Sequence, residues 1–270
     1  MIEEHDKFYS RPKHIEKLIV DNMSSTKRLE NFLSDDEIIQ LLTIFKKGKK
    51  LNSTESAAQL VDDLINDDNI EQSKKLQTRP DLIINTTAAL NWDKGTSEVL
   101  ESKLRKVIPN FEVVGGKFYL NQGSFKLHTD SGADRNHPIY KIFTIPLKFD
   151  KNIDIYTPTF NQYWLGSATR FLRGSKDVIE SKALQYVQDY EKVPLYNLTY
   201  KEFDKKDYNN LSHIDIENLW GFSLESMNKW KKGDIFVIDR AKIHASCDYG
   251  IKHKTSKIFM TIVTKLKDYE

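Results

Sequence analysis

Hydrophobic residues are spaced three and four apart through roughly the first 110 positions, and every second residue over much of the remaining chain. In SDDEIIQLLTIFKK, Ser34 is followed three residues later by Glu37, a capping box, and Ile38, Leu41, Leu42 and Phe45 fall on one face. These start and stop signals predict a helix over about 35–46. A second stripe is Leu60, Val61, Leu64 and Ile65; a third is Val99, Leu100, Lys103, Leu104, Val107 and Ile108, stopped where Pro109 restricts the residue before it. Stripes at this spacing are expected to brace a core rather than to carry chemistry.

After Gly115 and Gly116 the period changes to two. KFYLN, SFKLHTD, YKIFTIPLKF, GDIFVID and KIFMTIVTKL are short runs of β-branched and aromatic residues separated by turn signals, and they predict strands. Helices first and strands later imply an α+β chain, with a sheet-built core under an N-terminal helical layer. Residues 165–228 show no clean periodicity. A structureless loop of that length does not suit a compact domain, so this insertion is expected to hold short helices of its own or a lid.

With 270 residues and 39% hydrophobic content, one domain is expected over 1–270: a helical support layer over 1–110 and a core over 111–264, interrupted at about 165–228. The 41 Lys and Arg nearly balance the 39 Asp and Glu, so no global charge points to nucleic acid or an anionic membrane. Cys247 is the only cysteine, which excludes an internal disulfide and a multi-cysteine metal site and fits a reducing setting. No run reaches signal-peptide character or the roughly 20 apolar residues of a spanning helix, and a cytoplasmic protein is expected.

The candidate chemistry begins at KLHTDSGAD, residues 126–134. On a strand, Lys126, His128 and Asp130 share one face and Phe125, Leu127 and Thr129 the other, so an imidazole and a carboxylate stand side by side. Alone, a His-x-Asp triplet reads equally well as a polar strand end. Downstream, WKKGDIFVIDRAKIHAS gives a Gly-Asp turn, an apolar strand over Ile235 to Ile238, a bend, and then His244. Two imidazoles and one carboxylate on one face, with three positions left open, is the facial triad of non-heme Fe(II) oxygenases.

At this point the chain resembles the Fe(II)/2-oxoglutarate-dependent dioxygenases, in their prolyl-hydroxylase-like branch, over about residues 111–264. ENFLSDDEI (30–38) is similar to a helix of that branch, FYLNQGSFKLHTD (118–130) to its tyrosine-then-HxD strand, and WKKGDIFVIDRAKIHAS (230–246) to the strand and turn before its distal histidine. The resemblance implies a double-stranded β-helix (jelly roll) core flanked by N-terminal helices. It also implies Fe(II) bound by His128, Asp130 and His244, with 2-oxoglutarate and O2 as co-substrates.

For the far carboxylate of 2-oxoglutarate, the family supplies a cation about ten residues past the distal histidine. Lys254 stands at that spacing and is favoured, Lys257 is its competitor, and Tyr119 matches a tyrosine that bonds the same carboxylate. The retained Asp130, where related halogenases carry a small residue, points to hydroxylation of a C–H bond with release of succinate and CO2. A Gly-Gly-Glu or Gly-Gly-Thr motif is replaced by DIYTPTFNQYW, which leaves the substrate open, a free amino acid or other small acid standing ahead of a protein side chain or a nucleobase. Asn121, Thr144 and Ser246 are candidate supporting hydrogen-bonders, and Arg170 and Arg173 are candidates to hold a carboxylate or phosphate unless they form ordinary surface ion pairs. Two other readings stay open: a cupin-like metalloenzyme that does not use 2-oxoglutarate, and a non-catalytic jelly-roll binding protein.

Overall fold

A computed structural model describes residues 11–47, 84–86, 94–121, 124–132, 135–167, 169–174, 178–180, 185–199, 201–253 and 255–267. The expected stripe at 60–65 and Lys254 lie outside them. In chain order the elements are α1 (Lys13–Asp21), β1 (Lys27–Leu29), α2 (Asp35–Lys47), β2 (Ile84–Thr86), α3 (Lys94–Val107), β3 (Phe111–Asn121) and β4 (Ile139–Phe149). They continue with β5 (Tyr156–Tyr163), β6 (Thr169–Leu172), β7 (Val178–Glu180), β8 (Gln185–Asp189), α4 (Lys205–Tyr208), a 3-10 turn (Ile216–Leu219), β9 (Leu224–Lys229), β10 (Ile235–Asp239), β11 (Lys242–His244), α5 (Tyr249–His253) and β12 (Lys257–Leu266).

The capping box forms as its chemistry requires. The Ser34 amide donates to Glu37 Oε2 (2.8 Å) and the Glu37 amide to Ser34 Oγ (3.2 Å), which satisfies two amides at the start of α2. Ile38, Leu41 and Phe45 are then buried, together with Leu100 and Leu104 of α3 and Ile108 just past its end. Past Pro109, Asn110 takes a left-handed φ of 61° and turns the chain into β3.

Both helices cover one face of an antiparallel sheet with strand order β1-β10-β4-β12-β3-β2. Alternation decides which side chains meet them: Phe143, Ile145 and Leu147 of β4, and Ile258, Met260 and Ile262 of β12, join the helical core. Ile142, Phe236, Ile238 and Phe259 face the other way and pack with Ile155, Trp230, Cys247 and Tyr249. Each such side chain stabilises the fold by about 1.5–3 kcal/mol when fully buried.

Two expectations need correction. Gly115 and Gly116 do not precede a strand; they lie inside β3, which starts at Phe111. There the pairing with β12 shifts register between Val263 and Thr264 and skips Val114, so the glycines mark a bulge. The insertion is also more than short helices. It carries β6, β8 and β7 as a third small sheet and most of β9, and Phe171, Tyr190, Phe203, Leu211, Leu219 and Phe222 build a core with Phe160 and Ile243.

The resulting architecture is mixed α and β, dominated by antiparallel pairing. No helix among the described residues is long and apolar enough to cross a membrane.

Candidate metal centre

The 124–130 segment is extended but is not a regular strand. It runs between β11 and β6 as a pair of isolated bridges, His128 opposite His244 on one side and opposite Arg170 on the other. The His128 amide donates to the His244 carbonyl and the His244 amide to the His128 carbonyl, both at 3.0 Å. On the far side Thr129 donates to the Thr169 carbonyl (3.1 Å) and Phe171 to the Leu127 carbonyl (3.0 Å). Directly opposed residues in an antiparallel pair place their side chains on the same face, so both imidazoles meet there with ring centroids 4.2 Å apart.

Asp130, two residues on, joins that face, with Oδ2 at 3.1 Å from His244 Nε2. One ligand atom from each of His128, Asp130 and His244 lies within 4.8 Å of the other two.

The tautomers suit a metal. His128 Nδ1 lies 2.7 Å from the Lys126 carbonyl and His244 Nδ1 3.1 Å from the Lys242 carbonyl. A carbonyl only accepts, so Nδ1 carries a hydrogen in each ring and Nε2 is the atom offered to a divalent ion, which in His244 must first give up the proton it shares with Asp130. The donor set therefore fits a borderline divalent cation such as Fe(II).

Burial opposes the charged form of Asp130, but the hydrogen bond and charge of His244, with His128 and Arg240, hold its carboxyl well below the usual range. Burial and the His244 charge push His128 down to about 4. Burial also disfavours a charged His244, yet its contact with Asp130 prevails and raises its pKa.

Charged side chains brace the turn on which these ligands sit. The buried Arg240 donates from Nε to the Asp130 carbonyl (2.9 Å) and from Nη1 to the Thr264 carbonyl (2.8 Å), while the Asp130 amide returns a bond to the Arg240 carbonyl (3.2 Å). Gly132 allows this approach: its φ is 72°, and a Cβ there would stand 2.9 Å from an Arg240 guanidinium nitrogen. Arg11 adds bonds to the Ser131 and His137 carbonyls. Lys242, whose carbonyl orients His244, is held by Glu225 (2.5 Å) and the Ser24 carbonyl (3.1 Å).

Lys257 opens β12 and is 2% exposed. Its Nζ lies 3.3 Å from Ser246 Oγ and over the rings of Trp230 (4.2 Å), Tyr249 (4.4 Å) and Phe259 (5.3 Å). Among the described residues no carboxylate pairs with it, and burial pulls its pKa down to about 7. Ser246 stands two residues past His244 and so connects this cage to the triad. Tyr119 stacks on Phe259 (4.9 Å, 13°) and hydrogen-bonds Thr261; burial and the nearby Asp130 charge raise its pKa. Thr144 is the register partner of Thr261, and Asn121 that of Lys257.

The tertiary structure thus gathers His128, Asp130 and His244, brings Tyr119 within reach of the Asp130 charge, and ties Lys257 to Ser246, two residues past His244. The sequence reading missed Arg240, legible as a lone arginine closing an apolar strand, and the Trp230–Tyr249 cage, whose members come from separate segments with no shared period.

No protein-family model and no curated protein matches the chain. Among solved structures, it is similar to EctD from S. alaskensis with 2-oxoglutarate and 5-hydroxyectoine, at 11% identity over 93% of this chain and 75% of that one, with a TM-score of 0.46. It is also similar to SnoK, a non-heme alpha ketoglutarate dependent carbocyclase from nogalamycin biosynthesis, at 10% identity over 94% and 84% of the two chains, with a TM-score of 0.44. A third is HygX from Streptomyces hygroscopicus with nickel, 2-oxoglutarate and hygromycin B bound, at 11% identity over 94% and 87%, with a TM-score of 0.39.

Proposed function

We propose that this chain is a non-heme Fe(II)- and 2-oxoglutarate-dependent oxygenase that hydroxylates a C–H bond of a small, amino-acid-like molecule. We read residues 111–264 as its double-stranded β-helix (jelly roll) core. The observation that carries the proposal is the convergence of two imidazoles and one carboxylate on one face, both imidazoles being tied at Nδ1 to backbone carbonyls. That set leaves positions open, as the facial triad of Fe(II) oxygenases does. Bound there, iron and the 2-oxo acid supply the O2 activation and the oxidising electrons, with succinate and CO2 as by-products.

The protein supplies position and environment. His128, Asp130 and His244 hold the metal, and Arg240 fixes the turn behind Asp130. Lys257, rather than the sequence-favoured Lys254, is assigned to the far carboxylate of 2-oxoglutarate. What supports it is a buried ammonium joined through Ser246 to the His244 strand and without a protein carboxylate among the described residues. Trp230, Tyr249 and Phe259 keep water from that pair, which strengthens it. Tyr119 and Thr261 present hydroxyls on the same inner face.

The test is an anaerobic titration of metal-free protein with Fe(II) and then 2-oxoglutarate, following the visible charge-transfer band of the chelate. The expected result is a band that is absent in His128→Ala and needs at least tenfold more 2-oxoglutarate in Lys257→Ala, with Lys254→Ala unchanged. Iron binding without a band moves the site to a metalloenzyme that does not use 2-oxoglutarate. Absence of metal binding ends the oxygenase reading.

A further inference from the structure

A histidine of the insertion reaches the segment that carries His128. Arg173 does not: its Nε donates to Glu191 (3.0 Å) and its guanidinium lies over Trp220 (4.5 Å). Leu211 and Ile214 anchor the turn around His213 in the insertion core, and Ser212 donates to the Asp248 carboxylate from its amide (3.3 Å) and its hydroxyl (2.5 Å). His213 Nε2 is thereby set 3.1 Å from the carbonyl of Phe125, three residues before the metal ligand. Burial lowers the pKa of this imidazole, although the Phe125 carbonyl and the Asp248 charge favour its protonation; the Lys126 and Lys257 charges oppose it. The neutral ring has a single N–H and a carbonyl only accepts, so Nε2 is the donor.

That carbonyl is where the strand pairing departs from regularity. His128 and His244 exchange both backbone bonds, so an unbroken antiparallel ladder would next join Ser246 to Lys126. The Ser246 amide donates instead to the Phe125 carbonyl (3.0 Å), one residue earlier, which leaves Lys126 as the extra residue of a bulge. Side chains follow the slip. Leu127 packs in the insertion core, whereas Phe125, which strict alternation would set on the same face, joins the core around Trp230 and Phe259, its ring centroid 5.4 Å from that of His128. The bulge also releases the Lys126 carbonyl from the ladder, and this is the carbonyl that accepts from His128 Nδ1 at 2.7 Å.

Two donors thus fill both lone pairs of the Phe125 oxygen, Ser246 from the turn after β11 and His213 from the insertion. The histidine does so at a cost, since its Nδ1 is buried and meets no partner among the described residues. A bond kept at such a cost points to a role other than stability.

We propose that His213 is a positioning residue for the metal centre: by holding the Phe125 carbonyl it fixes the bulge that turns the Lys126 carbonyl onto His128 Nδ1, and so aims His128 Nε2 at the ion. The assignment rests on the metal-centre reading above and gives the insertion a part in it.

The test is anaerobic calorimetric titration of the metal-free protein with Fe(II), beside urea unfolding of the same samples. His213→Leu removes the donor together with the bare Nδ1, and His213→Gln keeps an N–H at similar reach. Fe(II) affinity is expected to fall about tenfold in His213→Leu, as for loss of an outer partner of a ligating histidine, and to recover in large part in His213→Gln. The urea midpoint of the metal-free protein is expected to stay close to wild type in both.

The proposal is overturned if His213→Leu binds Fe(II) like the unmodified protein or if His213→Gln is as weak as His213→Leu. A marked fall in the urea midpoint of either variant also overturns it, because the residue then serves the fold. Unmodified protein that binds no Fe(II) sinks the metal-centre reading and this assignment with it, whereas normal Fe(II) binding in His213→Leu sinks only the assignment of His213.

Discussion

Lys141 and Lys257 are buried to the same degree, each 2% exposed, and their surroundings are opposite. Lys141 is saturated: its ammonium contacts the Asp239 carboxylate, Ser24 Oγ (3.0 Å) and the Asn22 carbonyl (3.1 Å), and the Ser24 amide completes Asp239 (2.8 Å). Lys257 has one hydroxyl at 3.3 Å and three aromatic faces. A buried charge that is fully paired by its own chain is a structural clamp, here tying the N-terminal segment to the strand that leads to Arg240 and His244. A buried charge surrounded by aromatic rings is suited to a ligand anion.

The two lysines should differ most when one group is removed at each site. Asp239→Ala leaves Lys141 as an uncompensated buried charge and should destabilise the fold by about 3–5 kcal/mol, measured by urea unfolding. Lys257→Met should do the reverse in the metal-free protein, because it removes a charge that folding desolvates.

The pH dependence gives the sign. The folded pKa of Lys257 lies at about 7, below its ordinary 10.5, so the cost of burying the charged form is full below about pH 7 and fades as pH rises towards 10.5. The stabilisation by Lys257→Met should therefore be on the order of a few kcal/mol at pH 6 and shrink steadily through that window. A gain independent of pH would show that the lysine is not a buried cation.

A smaller effect separates support from ligation. Arg240→Met should weaken Fe(II) binding about 10–100-fold, as loss of a bracing contact typically does, with Arg240→Lys recovering part of it. Equal metal affinity in both variants would place Arg240 with the clamps such as Lys141. Metal affinity should also climb with pH above the ordinary histidine range and then level off. Contact with Asp130 raises the pKa of His244, and that proton must leave before Nε2 can bind. Isothermal titration in buffers of different ionisation enthalpy would count the proton released.

The smallest effect is expected at the exposed capping box. Ser34→Ala should cost about 1 kcal/mol of stability and leave metal affinity unchanged, giving the scale of a polar contact remote from the site.

Residue order alone settled whatever depends on neighbours in sequence. The helix over 35–47 comes from Ser34, Glu37 and a stripe at 3.6-residue spacing, and the near-continuous apolar runs of YKIFTIPLKF and KIFMTIVTKL come from strands buried on both faces. His128 and Asp130 were legible as a pair for the same reason, since two residues along an extended segment share a face.

Tertiary structure decided the rest. That His244 comes to stand opposite His128 depends on a pairing between segments more than a hundred residues apart. A local signal also misled: the glycines of β3 read as a boundary although they sit at a bulge. The core that the aromatics of the insertion build was not legible, because their packing spacing is irregular. The burial of Lys257 had no sequence answer, because its cage is made by Trp230, Tyr249, Phe259 and Ser246, which meet only when separate strands and a turn have packed.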